Sequence, residues 1–295
     1  MDVGRRTGVL PHLVLASGGA ETREAHEAKL SPVGLPILVH GHRGARAMRP
    51  ENTLPGFEYA ISVGADAVEL DVAVTRDDVV VVSHNPKMNR KICRSSDPPR
   101  AIRDLTLAEL ERWDCGALRN PRFPNQIPIP GARVPTLDQV LNLADRGHFL
   151  FNIEVKSFPD RPRLAPEPEY FAELVYQAIR RHKLEKRAIV QSFDFRILHA
   201  MRRLAPAIRL GVLYAGRPKS FAAIAQEAGA GIVVPYHALA SARQVRAAHA
   251  AGLEVVVWTA DRPRDWRRLI AAQVDAIITD NPEALLAYLK EAGMR

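Results

Sequence analysis

Two carboxylates, Glu69 and Asp71, stand two residues apart in the β-rich run Ala67 to Val74. Residues spaced by two on a strand project from one face, so the two acids share a side. Like charges held there repel and lose hydration unless a cation sits between them, and carboxylate oxygens suit a hard divalent ion such as Mg²⁺ or Ca²⁺. An isolated pair of this kind more often has one acid in solvent or against an arginine. This pair is not isolated. His42 and Arg43 follow the apolar run Pro36 to Val39, with Gly44 marking an abrupt strand end, and His84 closes a second apolar run, Val79 to Ser83. Histidines exchange protons near neutral pH. Two of them flanking a metal and an arginine suit acid and base work on a phosphate ester.

The elements that must position these residues alternate from Pro36 onward. A helix over Thr53 to Val63, capped at Asn52 or Thr53 and ended by Gly64, separates the first strand from Ala67–Val74. Val79–His84 follows too closely for a crossover helix, leaving a hairpin or an extended crossover. Residues 85–135 hold eight prolines and one short helix at Leu105–Arg112, and read as an insertion over one end of the fold. Its Arg100, Trp113 and Phe123 are candidates for substrate contact. Strand candidates then recur at 148–155, 188–193, 209–214, 231–235, 254–259 and 276–279, with helices between them. The repetition argues for parallel strands covered by helices. Without Val79–His84 the strands number eight, which favours an α/β fold of TIM (β/α)₈ type over an open doubly wound sheet, and no G-x-G-x-x-G or P-loop follows the first strand.

On such a barrel His42, Glu69, Asp71, His84, Glu154, Lys156, Gln191, Trp258 and Asp280 fall at or near the C-terminal strand ends, where barrel sites lie. Glu154 and Lys156 are again two apart. Glu154 can complete an oxygen cage with Glu69 and Asp71, while Lys156 as a point charge and Arg43 as a fork receive phosphate oxygens. His40 shares the face of His42 and is assigned to the core behind it.

HRG at His42–Gly44, PENT at Pro50–Thr53, ELDV at Glu69–Val72, T-x-D at Thr75–Asp77 and H-x-P at His84–Pro86 resemble the signature of the glycerophosphodiester phosphodiesterase family. EVK at Glu154–Lys156, QSF at Gln191–Phe193, WT at Trp258–Thr259 and DAIITDNP from Asp275 resemble its later blocks in order, over residues 36 to 290. The resemblance implies metal-dependent hydrolysis of a small glycerophosphodiester to glycerol 3-phosphate and an alcohol. It makes His42 the base and His84 the acid, gives Arg43, Lys156, Gln191 and Trp258 to the substrate, and gives Glu69, Asp71 and Glu154 to Mg²⁺ or Ca²⁺. Asn85 stands where the family usually has Asp, Ala260 and Asp261 replace its commoner Val-Asn, and Ala276 replaces a Gly; none removes a proposed ligand. Two rival readings are phospholipase D-like or lysophospholipase action on longer lipids, and a non-catalytic barrel that only binds. Retention of both histidines, three carboxylates and Lys156 argues against the latter.

Composition fits one large core in 295 residues, 47% of them hydrophobic. The chain therefore divides into a tail or weakly signal-like segment at 1–35 and one barrel domain at 36–295. The formal charge of +8 suits anionic partners without selecting one, and with aromatics at only 6% nucleic acid is not expected. No apolar run reaches a membrane span, and nothing in the sequence sets an oligomeric state. Cys93 and Cys115, the only cysteines, stand either as a disulfide, in an exported protein, or as free thiols, in a cytoplasmic one.

Overall fold

The computed structural model describes residues 36–295; the tail or signal reading of residues 1–35 lies outside the described residues. Nine strands occur among those described: β1 (Leu38–Gly41), β2 (Ala67–Val74), β3 (Val80–Val82), β4 (Leu150–Val155), β5 (Ala188–Ser192), β6 (Arg209–Tyr214), β7 (Ile232–Pro235), β8 (Glu254–Val257) and β9 (Ala276–Thr279). Eight of them form a parallel ring that closes because β1 pairs with both β2 and β9. This is the expected TIM barrel. The ninth, β3, runs antiparallel to β2 with Val72 opposite Val82, so the connection is a hairpin. The turn suits that outcome: Asp78 adopts φ 59° and the Val79 N–H donates to Thr75 Oγ1 at 3.0 Å.

Nine α-helices are described: α1 (Leu54–Ser62), the short α2 (Leu107–Leu110) and α3 (Leu137–Leu141), then α4 (Pro168–Arg181), α5 (Phe195–Leu204), α6 (Phe221–Ala228), α7 (Ala242–Ala250), α8 (Pro263–Ala271) and α9 (Pro282–Glu291). Small polar residues start several of them. Thr53, Asp194, Ser220, Ser241 and Asn281 each accept a backbone N–H of the first turn of α1, α5, α6, α7 and α9 respectively. α3 is not expected from the sequence, because its five residues are too few to show a helical period. No described helix is long and apolar enough to cross a membrane.

Strand alternation divides the interior. On β2, Val68, Leu70, Val72 and Val74 join the layer under the helices, and on β4 so do Phe151, Ile153 and Val155. Their neighbours Glu69, Asp71, Asn152 and Glu154 face the barrel axis by the period of two. The axis over β5–β9 is filled instead by Ile189, Leu213, Ile232, Val234, Val256 and Ile278. One sector of the barrel is thus apolar and holds its shape, while the sector over β1, β2 and β4 is polar. His40 belongs to the latter as a buried core residue beside Asn152, its Nδ1 3.3 Å from Asn152 Nδ2. Burial, with Arg209 adding to it, lowers its pKa to about 3, so it stays neutral.

Residues 85–135 build a separate small core from Met88, Ile102, Leu105, Leu110, Trp113 and Val134, joined by Val81 of β3. The helix expected at Leu105–Arg112 is confined to α2 and held by a capping box between Thr106 and Glu109. Substrate contact by Trp113 is corrected: its side chain is fully buried in this core. Arg100 pairs with Glu109 at 3.3 Å, and Phe123 lies beneath the Arg46 guanidinium, 5.2 Å from its ring, so neither reaches the cleft described below. Cys93 and Cys115 form a disulfide within the insertion. The bridge spans a separation of 22 residues, and its chain-entropy contribution is about 3 kcal/mol. Cys93→Ser/Cys115→Ser is therefore expected to lower the urea midpoint of the oxidised protein by a corresponding amount. An unchanged midpoint would show that the insertion holds without its staple.

Candidate active site

At the end of β1 the backbone turns sharply through His42, Arg43 and Gly44. Gly44 adopts φ 84°, and a Cβ there would lie 2.6 Å from the Gly56 carbonyl carbon in α1. Only glycine allows that approach. The turn, with Arg43 at φ 51°, brings the Arg43 N–H to Glu69 Oε2 at 2.9 Å. The parallel ladder sets Asp71 beside Glu154 and Glu154 beside Gln191. Carboxylate oxygens of Glu69, Asp71 and Glu154, all buried, consequently lie within 4.8 Å of one another.

Cations and amides surround this cluster. Lys156 Nζ lies 2.6 Å from Asp71 Oδ1 and 3.6 Å from Glu154 Oε1. Arg43 Nε is 3.3 Å from Asp71 Oδ2, and its Nη1 donates to Glu51 at 2.8 Å. Gln191 Nε2 donates to Glu69 Oε1 at 3.3 Å. Asn52, itself at φ 54°, donates from Nδ2 to Asp71 Oδ2 at 2.8 Å. The sequence offers Asn52 only as a helix cap and marks no role for Glu51, although both lie in PENT. An Asn just before the Thr53 cap, tolerant of the left-handed region, was the available signal.

Burial first, and then the charges of Asp71 and Glu154, push the Glu69 carboxyl well above the usual range. Burial likewise raises Glu154 to about 8, with Lys156 opposing and Asp71 adding. Burial would raise Asp71 too, but Lys156, Arg43 and His84 outweigh it and hold the group well below the ordinary value. Three acids this close cannot all ionise comfortably without a cation. Oε1 of Glu154 and Oε1 of Gln191 are buried and accept no hydrogen bond from the described residues. Fully ionised, Glu51, Glu69, Asp71, Glu154 and Asp280 face the paired Arg43, Arg46 and Lys156, an excess of two negative charges. An all-oxygen cluster with unused acceptors and that excess fits one hard divalent ion.

The histidines flank the cluster. His42 donates from Nδ1 to Asp280 Oδ1 at 2.6 Å, and its Nε2 points inward, 3.9 Å from Glu69 Oε2. Asp280 Oδ1 also accepts from Arg46 Nε at 2.6 Å. Burial works to raise Asp280, but His42 and Arg46 keep it ionised. Burial lowers His42 despite that carboxylate. His84 Nδ1 lies 3.1 Å from Asn85 Oδ1, and burial, with Lys156 and Arg43 adding and Asp71 opposing, lowers it to about 4.

Together these groups line a cleft of about 420 Å³ at the C-terminal end of the barrel. His42, Arg43, Glu69, His84, Glu154 and Lys156 contribute to it, as do Gln191 and Trp258; Asp71, fully buried in the same acid cluster, bridges Arg43, Lys156 and Asn52. The expected residues are therefore brought together. Trp258 donates from Nε1 to the Val234 carbonyl at 2.9 Å and packs edge-on against Phe193 and Tyr236. The cleft also includes Arg122 of the insertion, which sequence reasoning passed over for its neighbour Phe123.

A TIM barrel with clustered acids between two histidines on its open face defines a metal-assisted hydrolase site, and likeness to known proteins narrows the class. The chain belongs to the glycerophosphoryl diester phosphodiesterase family, whose sequence pattern matches residues 42–284. It is accordingly an enzyme that hydrolyses glycerophosphodiesters. It is 33% identical over 256 residues to a glycerophosphodiester phosphodiesterase of Caldanaerobacter subterraneus subsp. tengcongensis, covering 87% of this chain and 99% of that one. A solved structure of a candidate glycerophosphoryl diester phosphodiesterase from Silicibacter pomeroyi superposes with a TM-score of 0.83 at 32% identity, covering 88% and 96% of the two chains. The fold is also shared with an Oleispira antarctica phosphodiesterase in complex with the product sn-glycerol-3-phosphate (TM-score 0.74, 21% identity, 86% and 97% covered).

Proposed function

We propose that the protein hydrolyses glycerophosphodiesters to glycerol 3-phosphate and an alcohol with the help of one divalent cation held by Glu69, Asp71 and Glu154. The buried three-carboxylate cluster between His42 and His84 carries this reading. The product found in the Oleispira relative is the one expected here. A Mg²⁺ or Ca²⁺ held there would supply Lewis-acid polarisation of the phosphoryl oxygens and lower the pKa of the nucleophile, either water attacking directly or the glycerol hydroxyl closing a cyclic phosphate that water then opens.

The chain's own residues do the rest. His42 takes the nucleophile's proton at Nε2, because Asp280 holds its Nδ1–H and steadies the imidazolium that forms. His84 donates a proton to the departing alkoxide as the phosphorus–oxygen bond to the alcohol breaks; Asn85 fixes the ring by its Nδ1. Arg43, through the Nη2 not engaged by Glu51 or Asp71, and Lys156 receive phosphoryl oxygens. Gln191 steadies Glu69, and Trp258 offers a face to the organic part of the substrate. Residues 36–295 act as one barrel domain with its insertion.

A second reading, action on longer lipid diesters, draws on the apolar rim of the cleft, where Phe193 and Tyr236 are 49% and 42% exposed. The test is hydrolysis of glycerophosphocholine, glycerophosphoethanolamine and lysophosphatidylcholine in parallel, with products identified by ³¹P NMR. Glycerol 3-phosphate from the first two is the expected result. Choline phosphate, or turnover of lysophosphatidylcholine alone, would overturn it.

A further inference from the structure

The cations of the cleft differ in how they are engaged. Arg43 is held by Glu51 and Asp71, Arg46 by Asp280, and Lys156 by Asp71 and Glu154. Arg122 lines the same cleft, is exposed, and its guanidinium has no ion pair or hydrogen bond among the described residues. Its backbone, by contrast, is fixed. The Arg122 N–H donates to Asn120 Oδ1 at 3.1 Å, and Asn120 Nδ2 donates to Glu51 Oε2 at 3.0 Å. Gln126 Nε2 donates to the carbonyls of Arg46 and Arg49 at 2.7 and 3.0 Å, and the Ile127 N–H donates to that of Met48 at 3.0 Å. A free charge on an anchored backbone is arranged for a ligand, since no described residue of the protein uses it.

Position decides which part of a substrate it meets. The reacting phosphate belongs on the cleft floor, against the buried Glu69 and Glu154. Arg122 is at the mouth, on the β1 side, so it addresses a group farther out. The cleft lining that follows β5 and β8 carries Phe193 and Trp258, which offer ring faces and edges and no charge. The insertion that carries Arg122 has ten basic and five acidic residues, an excess of five positive charges out of the chain's +8.

Building on the hydrolytic reading above, we propose that Arg122 is a specificity-determining residue that favours glycerophosphodiesters whose alcohol bears an additional anionic group, such as a carboxylate. The carboxylate accepts charge-assisted hydrogen bonds from the guanidinium fork at the rim while the phosphodiester sits below it. An alcohol with only an ammonium group meets repulsion from the same side chain.

Glycerophosphoserine and glycerophosphoethanolamine form a matched pair, differing by one carboxylate. In Arg122→Ala the ratio of their kcat/KM values is expected to fall about tenfold, the worth of one charge-assisted contact at a partly solvated site, with the change carried by KM. Arg122→Lys should restore part of the ratio and Arg122→Glu should depress it further. In the wild type the preference for the serine diester should shrink with added salt. Equal losses on both substrates, or no change in the ratio, would overturn the assignment. Failure of the wild type to cleave either diester would instead overturn the hydrolytic reading, and an unchanged melting temperature of Arg122→Ala would exclude a folding defect.

Discussion

Replacing His84 by alanine is expected to slow hydrolysis of glycerophosphocholine by a factor on the order of 10² to 10⁴, yet to affect an activated p-nitrophenyl diester of glycerol phosphate far less. A general acid matters in proportion to the basicity of the leaving group. A choline alkoxide needs its proton at departure; p-nitrophenolate does not. His42→Ala removes the base that Asp280 steadies, and should slow both substrates by similar factors. Steady-state rates for two mutants on two substrates decide the matter. The reverse pattern would exchange the roles of the two histidines, and equal losses throughout would refute the division of labour.

Exhaustive chelation is expected to abolish turnover, and Mg²⁺ or Ca²⁺ to restore it. With no cation, Glu69 and Glu154 are pushed toward their neutral forms, which ligate a hard ion poorly. Glu69→Gln exchanges a charged oxygen for a neutral amide and should weaken metal affinity at least about tenfold, the smaller loss typical even of groups that only orient a ligand. The same substitution removes one of three mutually repelling buried acids. In chelator its melting temperature should therefore be no lower than that of the wild type, while added metal should raise the wild type more. Titration calorimetry and thermal melts with and without metal read both effects. Full activity after metal removal, or a Glu69→Gln protein that binds the ion normally, would sink the cage.

What the sequence made legible followed from short-range periodicity. Alternation on β2 and β4 placed Glu69, Asp71 and Glu154 inward, because a period of two is written directly in residues that face either helices or axis. The count of strands and helices then fixed the barrel. What escaped depends on long-range docking. The sequence places Asp280 at the barrel's open face with His42, as a closed barrel pairs its first and last strands, but that it holds His42 Nδ1 across a separation of 238 residues depends on side-chain geometry no local pattern announces. Trp113, expected at the cleft, is buried because the insertion builds its own core, and its prolines read as loop while its packing was invisible. Arg122 was passed over because an exposed arginine in a proline-rich stretch is indistinguishable by type from those that merely face water; only the docking of 120–127 onto residues 46–51 singles it out.

The insertion's independent core gives the enzyme two traits that can be inherited separately. Its buried side chains pack on one another and on Val81, apart from the layer beneath the barrel helices, so change among those apolar residues is absorbed within the insertion. If Arg122 selects the alcohol, sequence change in 85–135 away from Asn85, Asn120 and Gln126, which touch His84, Glu51 and the Arg46 and Arg49 carbonyls, alters which alcohol is accepted while Glu69, Asp71 and Glu154 on β2 and β4 stay untouched. A lineage, or a library, can therefore explore new headgroups by varying this one stapled cassette around those three fixed contacts.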